Sequence, residues 1–231
     1  MQSTIKHGPG FAMLEVDLDS GERLVSQPGA MVAMSNDVDL NASVSADPDV
    51  GFLTKIWLFL WNMVRSIFGG ESVVMNHYRA NSEGSVWLAP TMSGDVKRHQ
   101  LEGEKLRLSH GAYLASTDGV DIDVEFGGLK GLLPWKSTFH LKAKGNGDVW
   151  FNAYGGIRAI EVDGSYVVDD GHILAYDDSL DKHRATSGGG LMGLFASGEG
   201  LVKEFEGRGT VYIQTRNESA LVNFIQSVLP N

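Results

Sequence analysis

Gly111-Ala112-Tyr113-Leu114-Ala115 follows the alternating Leu106-Arg107-Leu108 and precedes a second alternating run, Val120-Asp121-Ile122-Asp123-Val124-Glu125-Phe126. The same turn glycine, followed by two apolar residues and an alanine, stands at Gly29-Ala30-Met31-Val32-Ala33 and at Gly171-His172-Ile173-Leu174-Ala175. A glycine opens the segment before each: Gly21, Gly103 and Gly164, at spacings of eight, eight and seven residues. A later marker also recurs, as Gly84-Ser85-Val86-Trp87-Leu88, Gly147-Asp148-Val149-Trp150-Phe151 and Gly209-Thr210-Val211-Tyr212-Ile213, 63 and 62 residues apart. Ordered markers at a near-fixed period are the signature of a repeated structural unit. The sequence therefore predicts one compact domain over 1–231 with three internal repeats, approximately 8–92, 93–154 and 155–216.

Inside each repeat apolar and polar residues alternate with period two, as in Phe139-His140-Leu141-Lys142. That is the pattern of antiparallel strands buried on one face only. The 29 glycines and only six prolines suit many tight turns between strands. The expected fold class is all-β: antiparallel sandwich-like or barrel-like repeats arranged about a pseudo-threefold axis. Closure of that kind would remove exposed strand edges. The tail differs. Asn217 can cap a helix over 217–229, with Glu218 in its first turn and Leu221, Val222, Ile225, Val228 and Leu229 in one apolar stripe. A helix packed on the β body is the expected arrangement; a partner-binding helix is the alternative.

Marker spacing exposes an asymmetry. Gly29 to Gly84 is 55 residues, whereas Gly111 to Gly147 is 36 and Gly171 to Gly209 is 38. The excess in the first repeat matches an apolar run over 52–68, predicted as an inserted amphipathic helix with a narrow polar stripe of Lys55, Asn62 and Ser66. Lys55 and Arg65 argue against a membrane span. Shorter apolar tips occupy the corresponding place in the other repeats, at 127–135 and 188–195. Apolar residues gathered at one end of a body usually mark an interface. The candidate surface comprises Phe52, Ile56, Trp57, Phe59, Leu60, Trp61 and Met63 from the first run, Leu129, Leu132 and Leu133 from the second, and Leu191, Leu194 and Phe195 from the third. These residues plug the end of the barrel, join copies of the chain, or meet a membrane surface; the sequence leaves the three open.

Catalytic chemistry has little support. The chain has no cysteine, which excludes disulfides, thiolate metal sites and cysteine nucleophiles. Its seven histidines, at 7, 77, 99, 110, 140, 172 and 183, include no pair two to five residues apart, so the His-x-His of a cupin metal site is missing. Asp121, Asp123 and Glu125 form one outward strand face, and Asp169, Asp170, Asp177, Asp178 and Asp181 bracket a strand in positions that suit turns. Gly188-Gly189-Gly190 lacks the Gly-Lys-Ser/Thr ending of a phosphate loop. A net charge of −10, with no basic cluster longer than Lys97-Arg98, makes nucleic acid a poor partner. The first ten residues have neither an apolar run nor an arginine-rich pattern, so a cytoplasmic location is expected.

Pro28-Gly29-Ala30-Met31-Val32-Ala33-Met34, Gly198-Glu199-Gly200-Leu201 and Gly209-Thr210-Val211-Tyr212-Ile213-Gln214-Thr215-Arg216 resemble the bacterial relatives of the family named altered inheritance of mitochondria twenty-four, over about 8–216. The resemblance implies a double-stranded β-helix type of fold, like that of the tryptophan RNA-binding attenuation protein, triplicated in one chain. It also implies a protein without established enzymatic activity, whose mitochondrial members are associated with inner-membrane architecture. The lysine-rich RNA rim of the attenuation protein has no counterpart in this acidic chain, and the family supplies no catalytic residues to carry over.

Residues and resemblance together point to a non-enzymatic interaction or scaffold protein without catalytic residue, metal or cofactor. Its expected partners are further copies of itself and a membrane surface or membrane complex, placing it in the cytoplasm or peripheral to the inner membrane. The rival is a cupin-like small-molecule binder or metal-dependent enzyme using the barrel interior.

Overall fold

In the computed structural model the described residues are 1–44, 74–109, 111–126, 139–184 and 202–229. They form an all-β body with one α-helix at the C-terminal end and a single 3-10 turn at Asp170–His172. The predicted helix over 52–68 lies outside the described residues.

The first strands are short: β1 (Gln2–Lys6), β2 (Met13–Leu18), β3 (Arg23–Ser26), β4 (Met31–Met34), β5 (Val38–Val44), β6 (Val74–Ala80) and β7 (Gly84–Leu88). Two short strands between two long ones then follow twice over: β8 (Val96–Ser109), β9 (Tyr113–Thr117), β10 (Val120–Phe126), β11 (Phe139–Asn152), then β12 (Ile157–Asp169), β13 (Ile173–Asp177), β14 (Asp181–Arg184) and β15 (Val202–Gln214). The alternation read from sequence sets the buried face. In β10, Val120 is buried while Asp121 and Asp123 are exposed.

A four-stranded sheet runs β1-β2-β7-β4, and an eleven-stranded sheet runs β12-β15-β13-β8-β11-β9-β3-β6-β5, with β10 added on β11 and β14 on β15. One pairing scheme occurs three times. Leu14 of β2 lies opposite Leu88 of β7, Val96 of β8 opposite Asn152 of β11, and Ile157 of β12 opposite Gln214 of β15. The returning strand then takes a third strand on its other side, each time with a one-residue bulge. Met31 faces Leu88 and Ala33 faces Trp87; Tyr113 faces Phe151 and Ala115 faces Trp150; Ile173 faces Ile213 and Ala175 faces Tyr212. The skipped residues are Val32, Leu114 and Leu174, each three positions after its turn glycine. Such a bulge twists the strand and re-aims its side chains.

Two further ladders tie successive pairings together. Leu24, Val25 and Ser26 of β3 face Thr117, Ser116 and Ala115 of β9. Leu106, Arg107 and Leu108 of β8 face Asp177, Tyr176 and Ala175 of β13. Closure of three units about a threefold axis is not among the pairings: within the described residues β4 pairs only with β7 and β12 only with β15.

The core follows these ladders. One cluster gathers Leu14, Val16 and Leu88 of the smaller sheet with Leu24, Tyr78, Leu114 and Trp150 of the larger. A second joins Leu101, Leu106, Leu108, Tyr113 and Phe151 to Leu174, Ala175 and Tyr212. The third is smaller, built on Val162, Val168, Tyr176, Leu180 and Phe205. Each fully buried large apolar side chain contributes about 1.5–3 kcal/mol.

Two local expectations need correction. Gly103 and Gly164 do not open strands; they lie inside β8 and β12, at φ +101° and +114°. Their side-chain-free, left-handed backbone lets one long strand serve two ladders. The helix, α1 (Glu218–Val228), forms with its predicted cap, the Asn217 carbonyl oxygen of the side chain accepting from Ser219 N and Ala220 N. It does not pack on the β body: no residue of α1 is buried, and Phe224 is 65% exposed.

Candidate functional site

All thirteen residues of the surface expected from sequence lie outside the described residues. The strands that bracket them are described, and they hold equivalent places. The run containing Phe52 to Met63 falls between β5 and β6, whose ladder ends at Val44 opposite Val74. The run containing Leu129 to Leu133 falls between β10 and β11, ending at Phe126 opposite Phe139. The run containing Leu191 to Phe195 falls between β14 and β15, ending at Arg184 opposite Lys203.

Polar groups concentrate where β8 meets β13. The Arg107 guanidinium donates to Asp178, and Lys142 Nζ lies 3.4 Å from the same carboxylate. Burial alone would raise the Asp178 carboxyl; Arg107 and then Lys142 outweigh it and hold it below the usual carboxylate range. Lys182 Nζ lies 3.0 Å from His140 Nε2 and 4.7 Å above the Tyr176 ring. Burial lowers its pKa to about 8, against the opposing pull of Asp170. On the neighbouring face His99 Nδ1 is 3.3 Å from Tyr212 Oη, and burial holds the imidazole below its ordinary value.

Carboxylates singled out by the sequence are engaged within the fold. Asp169, the last residue of β12, accepts from Gly171 N at 2.9 Å, Asp177, the last of β13, accepts from Thr210 N of β15 at 2.7 Å, and Asp123 pairs with Lys144 at 2.8 Å. Among the described residues no three histidine, aspartate or glutamate side chains gather as a metal-binding group. A cleft of about 190 Å³ beside the start of α1 is lined by His140, Asn152, Asp170, Gln214 and Asn217 among others. Gln214 is already engaged there: its side chain accepts from Tyr154 N and donates to Gly171 O.

The unusual surface is a pair of sheet edges, β4 and the C-terminal half of β12, left open among the described residues. β4 is exposed at all four positions, whereas β9 and β13, with the same bulge and the same place, are buried at their first four. Val32 is 54% exposed where Leu114 is 0% and Leu174 3%. The C-terminal half of β12 repeats the contrast. Tyr166 lies opposite buried Phe205 and is 47% exposed, while Leu24 and Leu106, at the matching distance before their turn glycines, are fully buried. An unpaired edge offers backbone N–H and C=O groups as well as side chains.

The sequence and the fold have known relatives. The family described as mitochondrial biogenesis AIM24 matches residues 3–216. The chain belongs to the AIM24 family. An uncharacterized protein of Streptococcus pyogenes is 28% identical over 239 residues, covering 100% of this chain and 92% of the relative. The crystal structure of a Streptococcus pyogenes protein superposes with a TM-score of 0.78 at 28% identity, covering 99% of each chain.

In this AIM24 chain the sequence-based surface missed Met31, Val32, Met34, Tyr166 and Val167. Their apolar character matches that of buried counterparts, so composition alone reads them as core. The signal that finds them is the pairing order: among the described residues the AIM24 chain joins its neighbouring ladders twice and leaves one β4-type and one β12-type edge over. No helix among the described residues is long and apolar enough to cross a membrane.

Proposed function

We propose that this AIM24 family member is a non-enzymatic interaction protein: one β unit written three times, working through contact surfaces at the end of the body and along its open edges. The exposure of Met31, Val32 and Met34, whose counterparts are buried, carries this reading, because a soluble body leaves such a strand bare only where something pairs with it. The threefold unit is supported by the common register and bulge of β4, β9 and β13. The apolar runs between β5 and β6, β10 and β11, and β14 and β15 are the proposed contact with a membrane surface. These runs hold equivalent places in the strand order and carry Trp57 and Trp61 in the first, Leu132 in the second and Leu194 in the third, which suits insertion at a headgroup boundary.

Flotation with vesicles of mixed neutral and anionic lipid tests the membrane part. The wild type floats with the vesicles, and a Trp57→Ser, Leu132→Ser variant stays at the bottom. Equal flotation of the two, or none by either, overturns it.

A further inference from the structure

We infer that the open edge of β4 in one copy pairs with the open edge of β12 in the next, so that copies of this chain join head to tail. The inference rests on the three-unit reading above and names the partner of its open edges: a second copy of the same chain. Continuity with the two joints already inside the chain argues for that partner. In the first, β3 lies against β9; in the second, the C-terminal half of β8 lies against β13. Each joint continues one sheet into six adjacent strands, as in β8-β11-β9-β3-β6-β5 and β12-β15-β13-β8-β11-β10. The strands left over, β2-β7-β4 at one end and β12-β15-β14 at the other, are the two halves of a third such sheet.

The register is fixed by the joints that exist. Counted from the turn glycines, the residue five before Gly29 faces the residue six after Gly111: Leu24 against Thr117. The residue five before Gly111 faces the residue six after Gly171: Leu106 against Asp177. The third joint then sets Tyr166 against Ser35, Val167 against Met34 and Val168 against Ala33 of the neighbouring copy. Side-chain faces agree. Val168 is buried like Leu108 and Ser26, and Tyr166 shares the inward face of Phe205. The joint would cover Met31, Val32 and Met34 on one copy and Tyr166 and Val167 on the other, all at least 38% exposed in the single chain. It would also pair two rows of backbone groups, as in strand addition to a sheet edge. Because β4 and β12 are different surfaces, the contact is heterologous and builds a ring or, if the rotation does not close, a filament.

The chain has no cysteine, so single introduced thiols report the contact without background. Met34→Cys and Val167→Cys are prepared as separate proteins, mixed and oxidised. The expected product is a disulfide-linked pair at twice the 25.0 kDa chain mass, formed by the mixture and by neither protein alone. Val32→Cys mixed with Val167→Cys, two residues out of register, yields at least about fivefold less, because disulfide geometry tolerates little misplacement. Equal yields from the two mixtures, linkage of Met34→Cys to itself, or no linked pair each overturn the proposed joint. Val25→Cys with Ser116→Cys in one chain serves as the internal control. If it closes within the monomer and the mixture does not link, the three-unit reading stands and the head-to-tail joint falls. If it does not close, both fall.

Discussion

The hydroxyl of Tyr113 on β9 donates to the carbonyl oxygen of Val25 on β3 at 3.2 Å. The bond crosses the ladder between the first two units, and Ser116 Oγ lies 2.9 Å from the same phenol. Tyr113 is buried, and burial pushes its phenol well above the ordinary tyrosine value. Tyr113→Phe leaves the Ser116 hydroxyl buried without this partner and costs about 1 kcal/mol of unfolding free energy, read from urea denaturation. A pH effect accompanies it. A group whose folded pKa is raised stabilises fully below its unfolded value of about 10, and that contribution is lost as pH rises towards the folded value. The wild type therefore loses stability more steeply than Tyr113→Phe above about pH 10. Parallel alkaline curves would remove Tyr113 from this role.

Asp178 gives the opposite sign. Its carboxyl is held low despite burial, chiefly by Arg107 and then by Lys142. Its contribution is present above the unfolded carboxylate value of about 4 and is lost as pH falls through the lower folded value. Arg107→Met should raise the Asp178 pKa and destabilise the protein near neutral pH. The gap between variant and wild type should close as pH is lowered below about 3. Thermal unfolding across acid pH checks this, and a gap that persists undiminished would assign Arg107 to packing alone.

Gly111 turns β8 into β9 at φ +81°, and a Cβ built there meets nothing within 4 Å. Gly111→Ala therefore suffers backbone strain without a clash, expected at about 1–2 kcal/mol. A cost several times larger would mean that space, not conformation, governs the position.

Asn217 holds the first turn of α1 through two backbone N–H groups. Asn217→Ala should weaken the helix by about 1 kcal/mol. Since α1 buries no residue, the loss should appear as reduced helical circular dichroism and faster amide exchange over Glu218–Val228, with the unfolding midpoint of the β body nearly unchanged. A matching fall in that midpoint would place α1 in the cooperative core.

The strand body was legible because its code is local. Gly111 followed by Tyr113-Leu114-Ala115 announces a turn and a buried strand, and the same words at Gly29 and Gly171 announce the same ladder. Gly103 misled because a positive-φ glycine serves a tight turn and a mid-strand bend equally well. The exposure of β4 was not legible. Met31-Val32-Ala33-Met34 is as apolar as its counterparts, and only the strand order shows that among the described residues no strand but β7 pairs with it. The ion pair of Arg107 with Asp178 was equally hidden, since it joins residues 71 positions apart. For α1 the apolar stripe was read correctly, but a stripe does not say what it meets.

Sedimentation equilibrium of the full chain, over a wide range of concentration, tests the central claim most directly. The wild type should have a mass that is a multiple of 25.0 kDa. Val167→Lys, which places a charge on the exposed β12 edge without touching the core, should bring it back to a single chain. A wild type that remains one chain at every concentration would contradict the account.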